Sequence, residues 1–491
     1  MSRIPCQSWL TPLLIGLVAF GVRLLSVIST GDLRGLLGYD EGVYFSASSG
    51  FISGLMPYRD FVLVHPPGVL VALAPFAFIA HFTTDADGWA IARIGVMLLG
   101  SLTAVVVYFT ARRVSRVAGI TAGLLYAVWW PAVHVERTTM LEAFVLVGIA
   151  GALWALRDSD VRWPRLVLAG ALLGCATSTK LWGAVPLIVV VLWLLLARRW
   201  RSALVVTASW IGMTTAIILP FFLLAPSRMF ELVMLGQIGR GRGGAPETQR
   251  IVEMLNLGTD SVIAHGRLVT LLAMIGTVVM AVLVITCWAK VPRARLWAAL
   301  LVVQVGVLLY VPVYFAGYSS FIGPALALVV GAVVSSLWTQ RGARILIAGF
   351  GGIVLLASCY RSVFLSDHQQ INVPKVEIAV AGARCVGSDS PGVLIATNAL
   401  SRDLDNGCPV IFDVDGTVYA IDQGSNPDHL SSGARRKNSA EYQRRLEAYF
   451  SGTDAIVMHR TAVDGIDPEV LTRIENRPLL LREPGARVYG R

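Results

Sequence analysis

Long apolar runs of about 17 to 22 residues recur from the N-terminus to residue 361, and no other feature constrains the fold of this chain as strongly. A helix rises 1.5 Å per residue, so about 20 apolar residues cross the hydrocarbon core of a bilayer. Only 15% of the residues are charged, whereas soluble domains contain about 25%. Intrinsic disorder, a DNA-binding domain and a small secreted fold are therefore excluded. We predict a polytopic α-helical membrane protein with eleven spans, near 9–29, 91–110, 117–133, 139–156, 165–179, 181–197, 203–224, 268–288, 296–313, 319–337 and 343–361.

Basic residues between these runs predict the orientation of the chain. The formal net charge is +10, and Lys and Arg of membrane proteins concentrate in short cytoplasmic loops. If the proline-containing segment 66–81 is an outer juxtamembrane helix and does not span, the strongly basic short loops all lie on the cytoplasmic side. These loops contain Arg112, Arg113, Arg116, Arg157, Arg162, Arg165, Arg198, Arg199, Arg201, Lys290, Arg293, Arg295, Arg341 and Arg344. The pattern predicts a multi-pass plasma-membrane protein with a cytoplasmic N-terminus and an extracytoplasmic C-terminus.

The composition becomes polar after the last apolar run. Short strand-like runs at 393–396 and 410–412 and a charged helical stretch at 439–449 indicate a small α/β domain over 362–491, outside the membrane domain 1–361. On the outer face thiols oxidise, so Cys385 and Cys408 are candidates for a disulfide. Two buried free cysteines are the alternative.

The first predicted outer loop, about 29–90, contains the adjacent carboxylates Asp40 and Glu41, followed by Arg59 and by His65. A carboxylate at the mouth of a membrane cavity suits a general base that deprotonates an acceptor hydroxyl, because the low dielectric strengthens electrostatic effects. A solvated turn that ends at a glycine explains the same Asp-Glu pair without any chemistry. Asp40, Glu41 and His65 also offer ligands for a divalent metal ion, although their spacing identifies none.

Ionisable residues also lie in or beside the predicted spans. Glu142 lies about one turn inside the fourth span, where an unpartnered charge costs a few kcal/mol, so it is a candidate functional residue. Arg23 lies near the outer end of the first span, and Lys180 lies in a very short connection between spans five and six. Snorkelling of the two cations towards the interface is the alternative explanation for them.

Glycine and arginine alternate in the outer loop at about 225–266, around Arg240 and Arg242. Guanidinium groups and the backbone N–H groups of glycines both bind phosphate, so this segment is a candidate phosphate site. The segment lacks the Gly-Lys-Ser/Thr ending of a nucleotide-binding P-loop. A flexible, positively charged loop is the alternative.

In their order along the chain, these motifs resemble those of the C-type (GT-C) glycosyltransferases. The shared pattern is the Asp-Glu pair after the first span, His65 before two prolines, an acid five residues after Arg137, and Lys180 after a threonine. The similarity covers about 35–330. The protein O-mannosyltransferases and the lipid A aminoarabinose transferases are the nearest groups.

This resemblance implies an enzyme that transfers a sugar from a polyprenyl-phosphate donor, usually with inversion, to a glycan, lipid or protein acceptor outside the plasma membrane. It implies a catalytic module at about 1–266, in which Asp40 is the base, with Glu41 beside it and Glu142 as a second acid. Residues implied to bind the donor phosphate are His65, Lys180, Arg240, Arg242 and Arg59. Nucleic acid is not an expected partner.

Two other functions compete with this one. Residues 413–417, with the pattern D-x-D-G-T, resemble the first motif of the haloacid dehalogenase-type phosphatases, in which Asp413 would be the nucleophile. Fewer residues follow Thr417 than that fold requires, so we interpret the motif as a structural turn after a strand. A lipid or sugar transporter or flippase would be expected to contain repeats and broken helices at mid-membrane, which the sequence does not indicate.

Overall fold

A computed structural model describes residues 7–158, 162–241, 243–257, 266–338, 341–365, 371–421, 426, 428–460 and 465–491. Within these ranges, seven helices are long and apolar enough to cross a membrane. They are Trp9–Ile28, Asp85–Ala111, Trp200–Leu224, Arg267–Lys290, Pro292–Tyr310, Ala316–Leu337 and Arg344–Phe364. The chain is therefore a multi-pass helical membrane protein, as its apolar runs predict.

Several predicted spans are bent or short, so the prediction of eleven full spans is not confirmed. The helices Arg116–Val128 and Trp130–Glu136 meet at an angle of 56°. The helix breaks at Trp129, whose backbone is extended, because in a continuous helix the ring of Pro131 would clash with the carbonyl group four residues earlier. The helices Glu142–Ala155 and Ala184–Leu196 contain 14 and 13 residues, fewer than the roughly 20 that a full span needs. An apolar run alone did not show where such a helix begins and ends.

The shorter helices connect these elements and form most of the C-terminal region. The segment predicted as a juxtamembrane helix forms Gly68–Ala80, and the predicted span at 165–179 forms Trp163–Thr179. The other helical segments are Tyr39–Ile52, Leu181–Gly183, Pro226–Phe230, Glu231–Leu235, Gly236–Ile238, Glu247–Met254, Val373–Val380, Pro391–Ala396, Leu400–Asp405, Gly416–Ala420, Ser432–Asn438, Ala440–Ser451 and Pro468–Glu475.

A small mixed sheet lies in the C-terminal region. Val386–Ser388 pairs in parallel with Ala455–Met458, which pairs antiparallel with Ala486–Tyr489, and Leu479–Glu483 completes the sheet as an antiparallel edge strand. A second, two-residue pairing joins Gly243–Gly244 to Val313–Tyr314. A disulfide joins Cys385, at the start of the first strand, to Cys408.

The predicted strands of the C-terminal region were wrong, whereas its predicted helix was right. Residues 393–396 lie in the helix Pro391–Ala396, and residues 410–412 form no strand. All six residues of that helix are buried, and periodicity cannot separate a short, fully buried helix from a buried strand. The helical stretch predicted at 439–449 forms Ala440–Ser451.

The C-terminal region packs directly on the helix Tyr39–Ile52. One hydrophobic cluster combines Val43 and Phe45 of that helix with Val393 and Phe412 of the C-terminal region. The two backbones touch, since a β-carbon on Gly42 would lie 2.6 Å from the amide nitrogen of Gly392. This shared core holds the segment after Phe412 over the N-terminal end of the helix, and that end bears Asp40.

A buried ion pair accounts for Arg23. Its guanidinium group donates to Glu136 through Nε at 3.1 Å and through Nη2, and to the carbonyl oxygen of Ala127 at 3.0 Å. Glu136 also accepts a hydrogen bond from Tyr126. Arg23 is fully buried, so neither snorkelling nor a place in the candidate site explains it. Its role is to join the first helix to the bent helix pair.

Candidate functional site

A cavity of about 140 Å³ lies where the C-terminal region meets the ends of the membrane helices. Its wall combines the start of the helix Tyr39–Ile52, the ends of several membrane helices and the segment after Phe412. The lining residues are Tyr39, Asp40, Val43, Tyr44, Leu63, Val64, His65, Glu142, Lys180, Arg240, Val313, Phe315, Tyr318, Asp413, Asp415, Gly416, Tyr419, Ser432 and Arg436. The structure thus brings together five of the residues that the sequence singled out: Asp40, His65, Glu142, Lys180 and Arg240.

Asp40 lies in the first turn of the helix Tyr39–Ile52 and extends into the cavity. Among the described residues no group donates a hydrogen bond to its carboxylate, which leaves both oxygens free for a ligand. The enclosing protein, followed by the negative charges of Glu142 and Asp415, raises the pKa of Asp40 to about 6. Near neutral pH the group is therefore ionised and basic enough to accept a proton.

Glu41 has a structural role and does not line the cavity, in contrast to the predicted catalytic one. Its carboxylate accepts hydrogen bonds from the backbone N–H groups of Leu37 at 3.2 Å and Gly38 at 3.1 Å, which closes the N-terminus of the helix. Arg93 binds it with two nitrogens, at 3.0 and 2.6 Å, and both side chains are fully buried. Successive helical residues point about 100° apart, and here Asp40 is directed to the cavity whereas Glu41 is directed to Arg93.

The pair formed by Glu41 and Arg93 allows a test of stability. We expect Arg93→Met to lower the free energy of unfolding by about 3–5 kcal/mol, because it leaves a buried carboxylate without its cation. Arg34→Met is the matched control, since it breaks an exposed ion pair with Asp87. Thermal melting of both variants in detergent should show a lower melting temperature for Arg93→Met alone. Equal melting temperatures would contradict this role.

Two cations, Lys180 and Arg240, also line the cavity and form its cationic wall. Lys180 follows the helix Trp163–Thr179 with an extended backbone, and its ammonium group lies 2.6 Å from Oε1 of Glu142. The ammonium group also lies over the rings of Tyr318 and Trp182, at 4.0 and 4.5 Å. Oε2 of Glu142 is buried without a hydrogen-bond partner. Glu142 therefore holds Lys180 in place and retains a free acceptor.

Arg240 is the second cation of this wall, and His65 lines the same cavity. The guanidinium group of Arg240 lies 4.9 Å from the ring centre of Tyr419, and its Nε is buried without a hydrogen-bond partner. Burial, followed by the charges of Lys180 and Arg240, holds the pKa of His65 well below its usual value. His65 is therefore neutral, and it can accept or donate a hydrogen bond beside a phosphate without a charge of its own.

A second cavity of about 150 Å³ adjoins the first. The two share Val64, His65, Lys180, Arg240, Val313 and Tyr318. The remaining walls of the second cavity are mostly apolar and consist of Pro66, Leu181, Trp182, Val233, Gln237, Val311 and Pro312. The cations thus separate a carboxylate-lined cavity from an apolar one.

One of the predicted phosphate-binding residues, Arg59, does not line this cavity, and the position of another, Arg242, is not described. Arg59 is half exposed and binds the carboxylate of its neighbour Asp60, with Nη2 2.7 Å from Oδ2. Arg242 lies outside the described residues. Among the described residues of the segment rich in glycine and arginine, Arg240 lines the first cavity.

The D-x-D-G-T segment contributes two carboxylates that the sequence interpretation assigned to a structural turn. Asp413 and Asp415 both line the cavity that Asp40 enters, and the hydroxyl group of Tyr39 bonds to both of them. A haloacid dehalogenase-type fold requires a strand before the first aspartate, and residues 410–412 form none. The motif itself was the signal, but only the packing of the C-terminal region shows that it faces Asp40.

The possible metal ligands do not converge. Glu41 binds Arg93, so it cannot combine with Asp40 and His65 around one ion. Among the described residues no group of three or more His, Cys, Asp or Glu side chains could hold a metal ion.

Solved structures share this architecture over nearly the whole chain. ArnT from Cupriavidus metallidurans in the apo state matches with a TM-score of 0.63 and 16% identity, covering 98% of both chains. The same protein bound to undecaprenyl phosphate matches with a TM-score of 0.55 and 16% identity, covering 99% of this chain and 98% of that one. AglB, an archaeal oligosaccharyltransferase from Archaeoglobus fulgidus in complex with an inhibitory peptide and a dolichol-phosphate, matches with a TM-score of 0.54 and 11% identity. That match covers 92% of this chain and 70% of AglB.

The fold is that of the GT-C membrane glycosyltransferases, which confirms the resemblance found in the sequence. More particularly, the chain belongs to glycosyltransferase family 87, whose sequence pattern matches residues 63–312. That stretch contains His65, Glu142, Lys180 and Arg240, whereas Asp40 precedes it. No curated protein matches the chain by sequence.

Proposed function

We propose that this glycosyltransferase takes its sugar from a polyprenyl-phosphate donor and transfers it to a hydroxyl group of a cell-envelope glycan, lipid or protein. The observation that carries the proposal is the cationic wall between two unlike cavities. A polyprenyl-phosphate sugar has the same order of parts: an apolar chain, a phosphate and a polar sugar. In this arrangement the isoprenoid chain of the donor occupies the apolar cavity, the phosphate binds Lys180 and Arg240, and the sugar lies beside Asp40.

The membrane orientation is part of the same proposal. The cavity lies at the end of the helices that carries the C-terminal region, and the basic loops predicted to be cytoplasmic connect helices at the other end. The site then opens on the extracytoplasmic side of the plasma membrane, where lipid-linked sugars replace nucleotide sugars as donors. The ArnT structure solved with undecaprenyl phosphate supports this choice of donor, since that protein shares the fold.

The chemistry follows from the charges around Asp40. The acceptor oxygen attacks the anomeric carbon of the sugar, and the bond from that carbon to the phosphate oxygen breaks, with both electrons leaving on the phosphate. Asp40 takes the proton of the acceptor hydroxyl as the new bond forms. Lys180 and Arg240 stabilise the charge of the departing polyprenyl phosphate. One displacement of this kind inverts the anomeric configuration.

The test is transfer by the purified protein in proteoliposomes. We expect release of polyprenyl phosphate and transfer of label from a polyprenyl phosphate that carries a radiolabelled hexose or pentose, with nucleotide sugars inactive. Nuclear magnetic resonance of the product should show the inverted anomer. Use of nucleotide sugars without the lipid, or movement of the donor across the bilayer without cleavage, would contradict the proposal.

A further inference from the structure

The turn formed by residues 413–416 lies against the residue that precedes Asp40. The hydroxyl group of Tyr39 donates a hydrogen bond to Oδ1 of Asp413 at 3.1 Å and accepts one from the backbone N–H of Asp415 at 2.9 Å. The guanidinium group of Arg460 lies 4.0 Å from the centre of the Tyr39 ring. This network holds the two aspartates of the turn at a defined place beside the base.

Asp413 directs one free oxygen atom at the cavity. The residue is 93% buried, since only 7% of its surface is exposed, and it lines the cavity. Its Oδ1 is occupied by Tyr39 and by the backbone N–H of Gly416 at 2.7 Å. No described residue donates a hydrogen bond to Oδ2. The unpartnered Oδ2 of this largely buried residue can therefore accept a hydrogen bond from a ligand in the cavity.

Asp415 differs from Asp413 in its charge environment. Its Oδ2 lies 3.1 Å from Arg460 and 3.5 Å from Arg436, so two cations offset its charge, while Oδ1 is buried without a hydrogen-bond partner. Asp413 has no ion pair among the described residues. Burial, followed by the charges of Asp415 and Asp40, raises the pKa of Asp413 to about 7. Near neutral pH a large fraction of the group is therefore ionised and can accept a hydrogen bond.

The glycine of the turn keeps this oxygen accessible. A β-carbon at position 416 would overlap the carboxylate of Asp413. Gly416 thus leaves the space that the Asp413 side chain needs in its observed orientation.

These groups suit one kind of ligand. A phosphodiester has no proton to donate and already has the cationic wall, and an isoprenoid chain offers no hydrogen-bond donor. Sugar hydroxyl groups donate to carboxylate oxygens, and the cavity is the one in which a sugar would lie under the proposed function, on which this inference rests. We propose that Asp413 binds a sugar hydroxyl through Oδ2, so that the C-terminal turn completes the sugar-binding site.

The sugar that contacts Asp413 belongs either to the donor or to the acceptor, and kinetics separates the two. We expect Asp413→Ala to lower kcat/KM by about 10- to 100-fold, the range for loss of a hydrogen bond to a charged group. Deoxy substrates, each lacking one hydroxyl group, identify the partner. For the wild type, one deoxy substrate should have a kcat/KM lower than that of the parent sugar by a similar factor. In Asp413→Ala, the same deoxy substrate should react no worse than the parent sugar. A deoxy donor with this behaviour assigns the contact to the donor, and a deoxy acceptor assigns it to the acceptor.

Two further variants keep the test independent of folding. Asp413→Asn keeps the shape of the side chain and should show a smaller loss of kcat/KM than Asp413→Ala. Gly416→Ala moves the carboxylate without removing it and should reproduce most of the effect of Asp413→Ala. Glu475→Gln is the control, because that exposed carboxylate pairs with Arg487 and neither residue lines the cavity. The inference would be overturned if each deoxy substrate lost as much activity, relative to the parent sugar, in every Asp413 variant as in the wild type.

A binding measurement distinguishes failure of this inference from failure of the proposed function. Isothermal titration with polyprenyl phosphate alone should give the same affinity for the wild type and for Asp413→Ala. If the wild type transfers sugar from the lipid donor and Asp413→Ala is as active with all substrates, the role of Asp413 is wrong and the proposed function stands. If the wild type neither binds polyprenyl phosphate nor transfers sugar, both proposals are wrong.

Discussion

Asp40→Asn should lose sugar transfer almost completely, with kcat reduced by about 10² to 10⁴, the range expected for a general base. The amide has nearly the same shape but cannot accept the proton of the acceptor hydroxyl. Because Asp40 receives no hydrogen bond from the described residues, the substitution breaks no observed contact. The measurement is the rate of label transfer from a polyprenyl-phosphate sugar at saturating donor.

Donor binding and pH dependence serve as the controls for this variant. The affinity for polyprenyl phosphate should change little, since the cations that would bind it are intact. In the wild type, kcat/KM should rise with pH through about 6 and then level off, because the carboxylate is the active form and its pKa is raised to about 6. The charged groups that act on this pKa are Glu142, Asp415, Arg240 and Lys180. Full activity of Asp40→Asn would eliminate Asp40 as the base.

Lys180→Met should weaken donor use by at least about 30-fold in kcat/KM, equivalent to about 2 kcal/mol, as expected when one partner of a buried charge pair is removed. Methionine keeps much of the apolar stem but removes the ammonium group that would bind the phosphate. The effect should appear in the KM for the donor and in kcat, since the same charge stabilises the departing phosphate. Steady-state kinetics over a range of donor concentrations separates the two.

A double variant separates phosphate binding from stability. Lys180→Met alone leaves the Glu142 carboxylate buried without its cation, so part of its effect is structural. Lys180→Met combined with Glu142→Gln removes both charges and should recover the melting temperature, but not the donor kinetics. Recovery of both would show that Lys180 supports the fold and does not act on the donor.

Ionisable residues beside apolar spans illustrate how much of the site can be predicted from the sequence. Such a residue needs a partner or a function, so the amino-acid sequence alone is enough to single out Glu142 and Lys180. The fold pairs them with each other across 38 positions, with 2.6 Å between Nζ and Oε1. The alternative of snorkelling is excluded for Lys180, which is buried.

Asp40 and Glu41 show where sequence reasoning stops. Two adjacent carboxylates look equivalent in the sequence, and both were predicted to be catalytic. The helix turns one towards the cavity and the other towards Arg93, which lies 52 positions later. The partner of Glu41 depends on how two distant helices pack, which no local pattern specifies.

The amino-acid sequence by itself determined the class of protein: its apolar runs require a membrane, and its ordered polar motifs resemble the GT-C glycosyltransferases. These properties depend on local composition and spacing. Only the tertiary structure decided which helices are too short or bent to span, which carboxylate faces the cavity, and that Asp413 lies against the helix bearing Asp40. The last contact joins Tyr39 to a residue 374 positions away, and it exists because the C-terminal region buries its core on the helix that begins at Tyr39.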